Sequence, residues 1–147
     1  MDRTDYAQMF DLKPEECKLR ILICATKSLQ PKLSHVEFVD PKSLAPQLPF
    51  ADQSFDLVLC PNILFMNDTH EAPTFHQEVL TELSRIGTEV RVLPLVDLAG
   101  KPAQYLGSVI QMLQEQGLGV ELRQIQINIG EEINAMLRLW NVTCVVK

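Results

Sequence analysis

Residues Leu48 to Cys60 read L-P-F-A-D-Q-S-F-D-L-V-L-C, a turn followed at once by an apolar run. Pro49 fixes its own φ and biases Leu48 towards extended backbone, while Asp52 and Ser54 suit a tight reversal. Phe55 to Cys60 is a short apolar run of the kind that parallel sheets bury on both faces. From here towards the C-terminus the pattern is regular. Phe75, Val79, Leu83 and Ile86 recur at helical spacing and predict a helix over Thr74–Ile86, stopped by Gly87. Glu89–Leu95 reads as a strand that Pro94 closes. Pro102 suits the start of a helix through Gln116 that buries Leu106, Val109, Ile110 and Leu113 and ends at Gly117. Val120–Ile129 alternates as a strand, Gly130 with Glu131 and Glu132 makes a turn, and Ile133–Val146 supplies further extended chain.

Towards the N-terminus the signals are sparser. Pro41 to Phe50 holds three prolines and reads as irregular. His35–Asp40 alternates apolar and polar residues as a strand, and Leu19–Ala25 reads as a buried strand. Met1–Glu16 reads as a partly helical leader in which Tyr6, Met9 and Phe10 form one stripe, with Pro14 marking a turn or helix start. A chain of 147 residues without repeats or linkers suits a single domain, 1–147.

Composition narrows the function classes. Hydrophobic residues at 46% and charged residues at 22% are globular values. A net charge of −6, with Lys18, Arg20, Arg85 and Arg91 scattered, argues against nucleic-acid or anionic-membrane partners. No apolar stretch approaches the ~20 residues of a membrane helix, and no secretory signal opens the chain, so a cytoplasmic protein is expected. Cys17, Cys24, Cys60 and Cys144 have neither C-x-x-C nor metal-site spacing, so neither a disulfide nor a metal role is expected. His70 and His76 lie beside Asp68 and Glu71, but six residues apart they fall on different helix faces, and no metal site is expected there either.

The stretch L-P-F-A-D-Q-S-F-D-L-V-L, the helix ending L-T-E-L-S-R-I-G and the following strand T-E-V-R-V-L-P-L resemble class I S-adenosylmethionine-dependent methyltransferases. The resemblance runs from about Leu48 to the C-terminus and carries no catalytic motif. It implies an α/β, Rossmann-like methyltransferase-type sheet, mostly parallel, with a C-terminal antiparallel hairpin that inserts one strand. It also implies S-adenosylmethionine as cofactor, held by a glycine-rich turn after the first strand, an acid ending the second and an acid after the third. Against that pattern the family's acid falls on Ile23, and its glycines fall on Ala25, Lys27 and Leu29, where a Cβ restricts φ and blocks close approach. Asp40 matches the ribose-binding acid in type and place, although an aspartate before Pro41 is also ordinary turn chemistry. The adenine-reading acid falls on Leu44. Asn62, after Cys60 and Pro61, stands where the family places substrate-side residues, or caps a turn.

The spacing adds to this. About nine residues separate Ala25 from His35, where a parallel crossover takes roughly a dozen or more. Either the crossover is abbreviated or these strands do not pair in the family's manner. Asp40 to Phe55 likewise leaves no room for a full helix and third strand, so the N-terminal half is expected to be abbreviated. Cys24 near Lys27 reads either as a low-pKa thiol or as an inert core residue. The expectation is a methyltransferase-like protein, degenerate towards its cofactor, acting as an interaction or self-association module such as a homodimer. The alternatives are a divergent active methyltransferase that holds S-adenosylmethionine through Cys24, Ala25, Asp40 and Asn62, and a scaffold turned to another small-molecule ligand.

Overall fold

The apolar runs around Ile21 and Val58 form adjacent parallel strands, and the rest of the chain is laid out on either side of them. The computed structural model describes residues 5–43, 47–61, 73–93, 95, 106–126 and 133–141. In chain order the elements are α1 (Tyr6–Met9), β1 (Arg20–Ile23), β2 (His35–Phe38), β3 (Phe55–Pro61), α2 (Pro73–Ile86), β4 (Gly87–Leu93), α3 (Leu106–Glu115), β5 (Leu118–Gln126) and β6 (Ile133–Asn141). Short 3-10 turns occupy Glu16–Lys18 and Pro41–Ser43.

The sheet has six strands in the order β2-β1-β3-β4-β6-β5. β1 pairs in parallel with β2 and with β3, and β3 pairs in parallel with β4. β6 then runs antiparallel between β4 and β5, so the C-terminal hairpin inserts one strand as expected. The first two strands therefore do pair in parallel, across a connection, residues 24–34, that contains no helix.

Alternation along the strands divides the core into two clusters. Leu22, Val58, Val90, Val92, Leu137 and Leu139 face Val79, Leu80, Leu83 and Ile86 of α2 and Val109 and Leu113 of α3. On the opposite face, Ile21, Ile23, Leu57, Leu59, Leu93 and Met136 pack against Tyr6, Ala7 and Phe10 of the leader. Strands covered on both sides explain the continuous apolar runs of β1 and β3. The leader stripe holds, and its Phe10 is fully buried.

The helix expected over Thr74–Ile86 is α2, and it passes into β4 without a connecting residue. Gly87 permits this. A Cβ there would lie 2.5 Å from Val58 Cγ2, so only glycine lets the helix end come this close to β3. The turn that precedes β3 is fastened to the same helix end. Glu82 accepts a hydrogen bond from the Leu48 amide at 2.7 Å. Arg85 reaches the Leu48 carbonyl at 3.2 Å, Asp52 at 2.7 Å and Glu82 at 2.6 Å. The Gln53 amide, on a residue with φ of 56°, donates to the Arg85 carbonyl at 2.9 Å. The strings L-P-F-A-D-Q-S and L-T-E-L-S-R are thus two halves of one clasp.

Candidate functional site

In a sheet of this type ligands bind beyond the carboxyl ends of the strands, where the strand order reverses. Here that point lies between β1, whose next strand is on one side, and β3, on the other. Cys24 follows the last residue of β1, Cys60 is the last but one of β3, and the two sit side by side. The Cys24 amide donates to the Leu59 carbonyl at 2.9 Å, and both thiols are fully buried. The contact with Cys60, and then burial, push the Cys24 thiol well above its ordinary 9.0. It stays protonated at neutral pH, which selects the inert core residue over the low-pKa nucleophile. Ala25 is also buried and packs with the leader-side cluster.

The segment after β1 turns towards the leader. Gln30, only 8% exposed, accepts a hydrogen bond from the Tyr6 amide at 3.1 Å and donates to Ser28 Oγ at 3.2 Å. The Ser34 amide donates to the Cys17 carbonyl at 3.1 Å, and Lys32 pairs with Asp5 at 3.2 Å. The bonds of Gln30, Lys32 and Ser34 tie this segment to residues 5–17. A parallel αβ unit instead presents a helix N-terminus at this place, whose free amides and dipole attract an anionic or polar ligand. Among the described residues, 24–34 offer no such terminus.

Asp40 is exposed and lies two residues beyond the end of β2. The Val39 amide donates to the Ile23 carbonyl at 3.0 Å, which sets Asp40 next to the end of β1. Its own carbonyl accepts from the Ser43 amide at 2.8 Å, closing the 3-10 turn over Pro41–Ser43. Turn chemistry and proximity to the strand ends therefore coexist at this residue. Cys24, Ala25 and Asp40 are brought to one end of the sheet. Asn62, Leu44, His70, Asp68, Glu71 and Cys144 lie outside the described residues. His76 is fully buried on α2, and no group of three or more metal-ligating side chains occurs among the described residues.

Charge that periodicity did not reveal is concentrated elsewhere. Arg91, 3% exposed, binds Glu16 at 2.6 Å and Glu89 at 2.7 Å, and Arg138 binds Glu89 at 2.7 Å and also pairs with Glu121. Burial pushes the Glu89 carboxyl up, but the Arg138 and Arg91 guanidinium groups outweigh it, and the net shift is downward from 4.5. Glu16 follows the same balance through Arg91. This network joins the leader to β4, β5 and β6, and both its guanidinium groups are paired with carboxylates. A cleft of about 440 Å³ lined by Thr81, Ser84, Arg85, Thr88, Leu118 and Asn141, among others, lies at the amino ends of the strands. That is the end opposite to the one where such sheets bind cofactors.

No family model matches the chain. A 66-residue stretch is 30% identical to an uncharacterized protein of Methanocaldococcus jannaschii, covering 45% of this chain and 30% of that protein. The chain thus matches less than a third of that relative's length. Among solved structures, a SAM-dependent methyltransferase from Methanosarcina mazei superposes with a TM-score of 0.52 at 10% identity, over 96% of this chain and 99% of that one. A SAM-dependent methyltransferase from Thermotoga maritima gives 0.49 at 12% identity over 89% and 84%, and one from Aquifex aeolicus gives 0.48 at 14% over 92% of each. The mixed six-stranded sheet with flanking helices is the Rossmann-like methyltransferase fold. At these identities the likeness is one of fold.

Proposed function

We propose that the chain is a methyltransferase-like protein whose cofactor end is degenerate, and that it serves as an interaction or self-association module. One observation carries this reading: residues 24–34 pass from β1 to β2 without a helix and are bound to the leader through Gln30. Methyl transfer from S-adenosylmethionine requires the sulfonium held in line with its acceptor, so a protein that cannot fix the cofactor loses the positioning that accelerates the reaction. Cys24 and Ala25 fill the end of β1 with buried side chains where backbone would have to approach the ligand.

Isothermal titration of the full chain with S-adenosylmethionine tests it. The expected outcome is no saturable heat, and no thermal shift at millimolar ligand. Saturable binding in the micromolar range, about −8 kcal/mol, overturns the degenerate reading.

A second reading has its own support. The Methanosarcina structure, described as a SAM-dependent methyltransferase, is covered almost end to end by a chain of this size. Asp40 stands exposed at the end of β2, beside the end of β1. On this reading a divergent active enzyme holds S-adenosylmethionine through Asp40 and the backbone near Cys24–Lys27. Asp40→Ala should then weaken binding at least tenfold, and an unchanged affinity removes Asp40 from the site.

A further inference from the structure

β5 is an outer strand of the sheet. It is nine residues long, and among the described residues no strand pairs with its far side. An edge of this length presents a row of unpaired amides and carbonyls, a template for another strand. Its middle residue is Leu122, 52% exposed and, among the described residues, one of two large apolar side chains that stand out in solvent. Glu121 and Arg123 flank it on the other face of the sheet, with opposite charges and side chains 44% and 39% exposed. Among the described residues, the contacts of Glu121 to Arg138 and Arg123 fall on Oε1.

We propose that two copies of the chain pair edge to edge through β5, antiparallel, about a twofold axis that passes through Leu122. This extends the self-association reading above and rests on it. In that register all nine residues find partners, because Leu122 is the midpoint of Leu118–Gln126. Leu122 meets the partner's Leu122. Glu121 lies opposite the partner's Arg123, and by symmetry Arg123 lies opposite the partner's Glu121. The charges select this register. Moving the axis to Glu121 sets two carboxylates against each other, and moving it to Arg123 sets two guanidinium groups against each other. The other edge, β2, offers only the four residues His35–Phe38.

The symmetry supplies the experiment, sedimentation or light scattering of the full chain up to ~100 μM. The wild type is expected at twice the 16.6 kDa of one chain. Glu121→Lys alone, or Arg123→Glu alone, sets like charges opposite each other twice and should weaken association about tenfold or more. Mixing the two variants creates a heterodimer in which both cross-strand pairs are again of opposite charge, and dimerisation should return. Should Glu121→Lys fail to fold, Leu122→Cys gives an independent reading. Oxidised with glutathione disulfide, it should form a covalent dimer across the axis, whereas Gln124→Cys, facing the partner's Val120, should not. A wild type that stays monomeric overturns the proposal together with the self-association reading. A wild-type dimer that persists in both variants, or a mixture no tighter than either variant, overturns the β5 register alone.

Discussion

Arg91→Met removes a cation that touches both Glu16 and Glu89, and its effect can be worked from the contacts. Arg91 is 3% exposed and clasps Glu16 through both terminal nitrogens, at 2.6 and 3.4 Å. Breaking a buried ion pair by deleting one partner costs about 3–5 kcal/mol, because a charge is left behind in a poor solvent. Two contacts soften the loss. Glu89 keeps Arg138 at 2.7 Å, and Glu16 keeps the Lys13 amide at 2.9 Å. The lower end, about 3 kcal/mol, is therefore expected. For a domain of this size 1 kcal/mol moves the melting midpoint by about 2–4 °C, so the midpoint should fall by about 6–12 °C at neutral pH.

The same variant carries a pH signature. Glu16 and Glu89 both have carboxyl pKa values below 4.5 in the folded protein. A depressed folded pKa contributes stability that is present above the unfolded value and lost as pH falls through the folded one. The gap between wild type and Arg91→Met should therefore be full at neutral pH and close as the pH falls below 4.5 through the lowered folded values. Adding Glu16→Gln to Arg91→Met should recover part of the midpoint, since it removes one of the stranded carboxylates. Thermal melts followed by circular dichroism measure all three effects. A loss under about 2 °C at neutral pH, or a gap that does not narrow on acidification, would falsify this account of the network.

Other substitutions probe the remaining joints. Glu82→Gln removes the carboxylate that takes both the Leu48 amide and Arg85. It should cost about 2 kcal/mol in urea melts, and an unchanged midpoint would show that the turn before β3 holds without the clasp. Phe10→Ala empties a fully buried site under the sheet and should cost about 3–5 kcal/mol, with limited proteolysis cutting the leader before the sheet. Cleavage no faster than in wild type sinks that view of the leader. Gly119→Ala drives a Cβ into the indole ring of Trp140, the chain's single tryptophan. The ring must swing away from Gly119, and from the Arg138 guanidinium 5.2 Å from its centroid, so emission should shift. An identical spectrum in the two proteins counts against that packing.

Strand and helix existence was legible wherever period and punctuation agreed. The runs at Ile21, Val58 and Val90, the helix through Val79 and Leu83, and the closing hairpin all follow from residue patterns. Boundaries moved where tertiary packing intervened. β4 begins at Gly87 rather than Glu89 because its approach to Val58 leaves room for hydrogen alone, and β5 begins at Leu118 because Gly119 lies under Trp140. Contacts between distant residues were not legible. Arg91 meets Glu16 across 75 positions, and Arg85 meets Leu48 across 37, separations that no local period encodes. The candidate site divides in the same way. Asp40 could be placed at a strand end from the sequence, whereas the adjacency of Cys24 and Cys60 follows only once Ile23 is known to pair with Leu59.

The clasp also decides what the opening stretch can testify to. Leu48, Asp52 and Gln53 are engaged by Glu82 and Arg85, and Thr88 Oγ1 adds a bond to Gln53 at 2.8 Å. Phe50 stacks edge-on against Phe55 at 5.2 Å, fixing the entry to β3. Each of these residues has a packing or hydrogen-bonding task at the amino end of the sheet, remote from the carboxyl ends where a cofactor binds. A chain can therefore retain both strings for the sake of the fold alone, whether or not it binds a cofactor. The resemblance they carry bears on architecture, and a cofactor site of this fold would lie at the other end of the sheet. At and beyond the carboxyl end of β1 stand Cys24, Ala25 and Asp40, and a titration of S-adenosylmethionine against Asp40→Ala asks whether they meet a ligand.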